Sequence, residues 1–165
     1  MKEHGTLHTT MIVLHATAGV TAFAAGCLAL SPSPTERRAH RLFPLYLASL
    51  WLMVAFMLGA MAAHWGQLAT AERAIFGGLF LLGLFMAWRG WAAWRLLRGR
   101  EGAWRLPYME HVGFTLIALW DGFVIVLAID LGAPVWLVLL LAVLGVVVGN
   151  RALHRVEARA AASGA

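Results

Sequence analysis

The chain has 165 residues, of which 61% are hydrophobic and only 13% are charged, whereas ordinary soluble domains are roughly 45–50% apolar. So few charged side chains cannot cover such a large apolar core in water, which excludes a soluble globular protein. The composition predicts an integral membrane protein with the lipid bilayer as its main partner. The formal net charge is +5, but the arginines form no basic face interleaved with aromatic residues, so nucleic acid is excluded as a partner.

Apolar stretches without interruption predict the helices. They cover residues 9–30, 42–63, 74–97, 107–130 and 133–149. At about 1.5 Å per helical residue they extend over roughly 25–36 Å, which matches a hydrocarbon core of about 30 Å. Helices are expected because every backbone group in lipid must be satisfied within its own segment, and the alternation of a membrane β-strand is absent. The predicted fold is all-α: a single membrane domain over 1–165, with five transmembrane helices bundled around spans one, two and four.

Glycine and proline mark the ends of several spans. Pro107 opens the fourth span at a position that tolerates a missing N–H. The sequence Gly132-Ala133-Pro134 predicts a tight hairpin before the fifth span. The connections between the predicted spans are therefore short.

The orientation follows from the arginines, which accumulate on one side of the five spans. The loops after spans one and three and the carboxyl-terminal tail each carry a cluster, whereas the other side has only Lys2 and Arg73. Positive loops stay in the cytoplasm. We therefore expect the amino terminus outside and the carboxyl terminus in the cytoplasm.

The first span contains Ala24-Ala25-Gly26-Cys27, which is similar to a lipoprotein cleavage site. Cleavage before Cys27 would place the arginines of residues 37–41 outside, against the charge bias of every later loop. We interpret the span as a permanent helix. Its Ala18, Ala22 and Gly26 recur every four residues and predict close packing against a neighbouring helix.

Histidine and methionine accumulate in the outer halves of spans one and two. On span one, His8 and His15 share a face with Met11 between them, and span two presents Met53, Met57, Met61 and His64 on one face. Thioether and imidazole ligands suit copper, so His8, His15, Met57, Met61 and His64 form a candidate metal site. The alternative is that these methionines are flexible packing material.

Two further histidines are candidates for haem. His40 and His111 lie near the inner ends of spans two and four, at depths that match well enough to ligate one haem b iron between helices. A membrane redox protein that binds haem b or copper is therefore the alternative function.

Asp121 lies in the middle of the fourth span, at nearly the same depth as His15. A charge inside the membrane is costly unless it is paired or hydrated. A His15–Asp121 pair would satisfy both groups and could carry a proton or help to bind a cation; the alternative is a structural hydrogen bond between two helices.

Two further charged residues lie near the inner face. We expect Arg89 to extend to the headgroups beside Trp88 or Trp91 and Glu110 to form a surface ion pair.

The chain resembles the DUF2306-type family of uncharacterised bacterial predicted membrane proteins. The residues that carry the resemblance are Leu14-His15, Gly19, Gly26, Arg38, His40-Arg41, Tyr46, His111, Phe123-Val124 and Trp136, and Pro44 stands where the family usually has glycine. The resemblance implies a small polytopic protein of the bacterial inner membrane with histidines at helix ends. No activity is assigned to the family.

Motifs for common enzyme chemistries are absent. The sequence has no glycine-rich phosphate loop, no Ser–His–Asp order and no His-Glu-x-x-His helix, which excludes kinase, hydrolase and metalloprotease chemistry. The predicted function is a non-enzymatic accessory or transporter-like module with a buried His15–Asp121 pair and a protein partner in the membrane.

Overall fold

A computed structural model describes residues 2–30, 36–99 and 104–162. They form the helices α1 (Lys2–Leu30), α2 (Glu36–His64), α3 (Thr70–Gly99), α4 (Arg105–Asp130) and α5 (Val135–Ala162). The first four predicted spans lie wholly inside helices. The fifth was placed slightly early, because Ala133 and Pro134 belong to the turn before α5. Beyond the predicted span, α5 continues to Ala162 through an alanine- and arginine-rich segment of good helix formers.

Each helix contains a segment long and apolar enough to cross a membrane: Thr6–Leu30, His40–His64, Arg73–Gly99, Arg105–Ala128 and Trp136–Arg155. Large apolar side chains such as Val20, Leu81 and Val143 are more than half exposed. Such a surface suits a multi-pass membrane protein, because lipid covers apolar side chains at no cost. The all-α prediction is confirmed.

The turn between α4 and α5 explains why the two helices follow each other so closely. Gly132 has a φ of 73°, a left-handed conformation that other residues adopt at a cost. The N–H of Ala133 donates to the carbonyl of Ala128 at 2.9 Å, so Gly132 ends α4 in a Schellman-type cap. The Pro134 carbonyl then accepts from the N–H of Leu137 at 2.9 Å as α5 begins. The predicted hairpin at this position is confirmed.

The described residues group into two compact units, Met1–Trp88 and Arg89–Ala165. The first contains α1, α2 and the first part of α3. The second contains the rest of α3 with α4 and α5. The single-domain organisation and the bundling around spans one, two and four stay predictions.

In the first unit, α1 and α2 pack along a seam of small against large side chains. Contact between His8 and His64 sets the register of this antiparallel pair. The buried residues of α1 include Ala18, Ala22, Ala25 and Ala29, and those of α2 include the larger Phe43, Leu47, Leu50 and Val54. Gly26 is also buried. The stripe of small residues therefore packs against α2, as its spacing predicted.

Candidate functional site

The end of the α1/α2 seam brings two histidines from different helices into contact. His8 lies near the start of α1 and His64 is the last residue of α2, and their ring centroids are 3.9 Å apart with the planes tilted by 38°. The Nδ1 atom of each ring is buried and has no hydrogen-bond partner among the described residues. A buried polar atom without a partner is uncommon in native proteins and often marks the place of a water or an ion.

The next layer of the seam is formed by methionines. In the register that joins His8 to His64, one turn inward on each helix leads to Met11 on α1 and Met61 on α2, and both are half-buried. Gly59 leaves room for the thioether of Met11, because a Cβ at Gly59 would lie 3.3 Å from the Met11 Sδ atom. The candidate His/Met residues of the two helices therefore follow one another along a single seam.

His15 lies one turn further along α1 than Met11, and its ring is held by a hydrogen bond to α2. Its Nδ1 atom is 2.8 Å from the carbonyl oxygen of Met53 on α2. A carbonyl can only accept, so Nδ1 of His15 must carry the hydrogen that it donates. The bond thus fixes the tautomer of neutral His15 and leaves Nε2 as the nitrogen that can receive a proton or a metal ion.

Asp121, on α4, is the most buried acidic side chain that the structure describes, with an exposed fraction of 7%. Its carboxylate packs against Gly145 of α5, where a Cβ would collide with Oδ1 of Asp121. No hydrogen bond or ion pair of this carboxylate is found among the described residues of its own unit, 89–99 and 104–162. The predicted His15–Asp121 pair joins the two units and stays a prediction.

Glycines maintain this close approach over about two turns of α4 and α5. A Cβ at Gly149 would lie 2.5 Å from Cγ2 of Ile117, and a Cβ at Gly113 would lie 2.5 Å from Cδ1 of Leu153. Together with the Asp121–Gly145 contact, these positions advance by four residues on each helix. Sequence reasoning missed this interface, although Gly145 and Gly149 form a Gly-x-x-x-Gly spacing that is typical of close helix packing in membranes.

Arg89 and Glu110 form an ion pair in the second unit. The Nη2 atom of Arg89 donates to Oε1 of Glu110 at 3.1 Å and to its backbone carbonyl at 3.2 Å. The guanidinium also lies over the Phe114 ring, 4.6 Å from its centroid. The predicted ion pair of Glu110 is confirmed. The Arg89 side chain is only 13% exposed, and α4 supplies it with a carboxylate and an aromatic face. Its extension to the headgroups beside Trp88 or Trp91 stays a prediction.

The two candidate haem ligands lie in different units. His40 is half-buried in the first two turns of α2, and His111 is half-buried in the second turn of α4. The His111 carbonyl accepts the Thr115 hydroxyl at 3.0 Å. Shared ligation of a haem b by these two histidines stays a prediction.

Comparisons of the chain with protein-family models, curated proteins and solved structures gave no significant match. The resemblance to the DUF2306-type family stays a prediction. The functional argument therefore rests on the geometry of the chain itself.

Proposed function

We propose that the chain is a multi-pass protein of the bacterial inner membrane, with its amino terminus outside, and serves as an accessory or transporter-like module in which His15 and Asp121 handle a proton or a cation. Five helices long enough to cross a membrane support the location. The arginine clusters on one side of the spans support the orientation.

The observation that carries this proposal is the buried carboxylate of Asp121, which has no partner among the described residues of its own unit, 89–99 and 104–162. An unpaired carboxylate in hydrocarbon is costly, and the cost is relieved by a proton, a bound cation or a basic partner. A side chain that only filled space at this position could be apolar. Asp121 therefore favours a role for the carboxyl group itself.

The chemistry of His15 limits what the pair can hold. Because Nδ1 donates to the Met53 carbonyl, the imidazole meets Asp121 only through Nε2. One proton joins the two groups: a neutral carboxylic acid donates it to Nε2, or an imidazolium donates it to the carboxylate. Both forms have zero net charge, so the proton can shift between them without placing an uncompensated charge in the membrane.

Nuclear magnetic resonance of ¹⁵N-labelled histidine in lipid bilayers tests the pair directly. The chemical shift of Nε2 reports whether His15 accepts or donates at that atom. We expect Asp121→Asn to move the Nε2 signal of His15 and to leave its Nδ1 signal in place, because the bond to Met53 is retained.

Glu110→Gln is the matched control, since Glu110 is also a carboxylate on α4 but is 60% exposed and paired with Arg89. It should leave both His15 signals unchanged. A His15 Nε2 signal that is identical in wild type and Asp121→Asn would reject the pair.

A further inference from the structure

The open end of the α1/α2 seam carries a second group of chemically active side chains that the His15–Asp121 pair does not use. We call His8, His64, Met11 and Met61 the His/Met layers. The two histidines form the first layer and the two methionines form the second, one turn inward. His15 lies below them with its Nδ1 committed to the Met53 carbonyl.

The first layer leaves two nitrogens unsatisfied at one place. The contact of the two tilted rings at 3.9 Å satisfies neither Nδ1 atom, because neither atom makes a hydrogen bond. Each such buried nitrogen carries a desolvation cost, because it has lost the hydrogen bond that water supplies in the unfolded chain. A cation that accepts the lone pairs of both nitrogens removes both costs at once, with the ring protons held on Nε2.

The ligands available at the site determine which cation fits. Among residues 2–30, 36–99 and 104–162, no three His, Cys, Asp or Glu side chains are grouped to hold a metal ion. The donors one turn inward on the same helix faces are the thioethers of Met11 and Met61, which are soft and uncharged. Imidazole with thioether suits Cu(I), whereas Mg²⁺ and Ca²⁺ require oxygen ligands.

We propose that the His/Met layers bind Cu(I), with His8 and His64 as the nitrogen ligands and a thioether of the methionine layer as the third ligand. In the orientation proposed above, the site opens to the outside of the membrane. It is independent of the His15–Asp121 pair, so either proposal can fail without the other.

Binding of Cu(I) requires the His8 and His64 rings to change their relative orientation. Metal–imidazole bonds are about 2 Å long, so two rings that share an ion meet through their nitrogen edges and not through their faces. The rings must rotate about their side-chain torsions and their centroids must separate beyond the present 3.9 Å. Gly59 leaves space for Met11 during this change.

Competition for Cu(I) tests the proposal on the purified full chain in detergent. The chain is titrated, under reducing and anaerobic conditions, into the coloured complex of Cu(I) with bathocuproine disulfonate. We expect the wild type to remove one equivalent of Cu(I). His8→Gln and His64→Gln should each lower the affinity by more than about tenfold, because loss of even an outer-shell partner often has that effect.

His154→Gln is the matched control, since His154 is an exposed histidine on α5; it should bind Cu(I) like the wild type. Circular dichroism verifies that each variant keeps its helices. The site would be overturned if the wild-type chain removed no Cu(I) from the coloured complex. It would also be overturned if His154→Gln lowered the Cu(I) affinity as much as His8→Gln and His64→Gln.

X-ray absorption of the copper-loaded wild type supplies a test that needs no variant. Both nitrogen and sulfur neighbours of copper are expected. A copper shell without sulfur would overturn the assignment of the methionine layer. Met61→Leu and Met11→Leu then identify the thioether, because only the ligating methionine should lower Cu(I) affinity and remove the sulfur signal.

Discussion

The carboxylate of Asp121 on α4 lies directly against Gly145 on α5, with no room for a methyl group between them. Gly145→Ala should therefore destabilise the protein by about 1–3 kcal/mol, because an added methyl overpacks a close contact. The measurement is the free energy of unfolding in mixed micelles. Gly122→Ala on α4 is the control, since nothing lies within 4 Å of its Cβ position, and alanine there should be neutral or mildly stabilising.

The same contact predicts a rescue. If Gly145→Ala is costly because the new methyl meets Asp121, its cost should fall in the Asp121→Ala background, where the opposing carboxylate is gone. An unchanged cost in that background would show that another neighbour of Gly145 is responsible.

The proposed pair predicts coupling between two distant positions in the sequence. His15→Ala and Asp121→Ala should each lower the free energy of unfolding by about 1–3 kcal/mol, and the double variant by less than their sum, because each single change leaves a buried partner unsatisfied. If Asp121→Ala leaves the free energy of unfolding unchanged or increases it, the carboxylate of Asp121 is unpaired. Additive effects would show that the two residues are not coupled.

Proton or cation handling needs the charge of Asp121 itself. In proteoliposomes loaded with a pH-sensitive dye, we expect proton flux through the wild type and its loss in Asp121→Asn, with helix content unchanged. Glu110→Gln should keep the flux. Flux retained in Asp121→Asn would assign the pair a structural role, since an amide can still hydrogen-bond.

The Arg89–Glu110 ion pair predicts unequal effects of its two partners. Glu110→Ala should cost only about 0.5–1 kcal/mol, because the carboxylate is largely exposed and its attraction is screened by solvent. Arg89→Ala should cost more, since it also removes the bond to the backbone carbonyl and the contact with Phe114. Arg98→Ala is the control, because Arg98 is an exposed arginine of α3. Equal costs in unfolding measurements would contradict this ordering.

Reporter fusions test the orientation. A reporter that is active only outside the cytoplasm should be active after Gln67, in the turn between α2 and α3, and inactive after Gly99 or at the carboxyl terminus. The reverse pattern would reject the proposed orientation and would place the His/Met layers on the cytoplasmic side.

The redox alternative makes its own prediction. A chain purified after haem supplementation and carrying haem b should show a Soret band that is lost in both His40→Ala and His111→Ala and kept in His64→Ala. A Soret band retained in both inner variants would exclude this pair of axial ligands.

The helices and several of their ends could be predicted because they depend on local properties. A long apolar run must become a helix in lipid, whichever partner it meets, and Gly132-Ala133-Pro134 breaks the chain wherever it occurs. The face of α1 that packs against α2 could also be predicted, since Ala18 and Ala22 repeat with the helical period. The continuation of α5 beyond the fifth apolar run could not be predicted in this way, because this tail of the helix is polar.

By itself, therefore, the sequence determined five apolar helices, their order along the chain with the turn before the fifth, and the candidate residues for binding a proton or a metal. Only the tertiary structure decided that His8 meets His64, that His15 donates to Met53 and that Asp121 packs against Gly145. The physical reason is register. A shift of one turn between two helices keeps every residue on its face but changes every partner, and the register is selected by the close fit of small and large side chains across the whole interface.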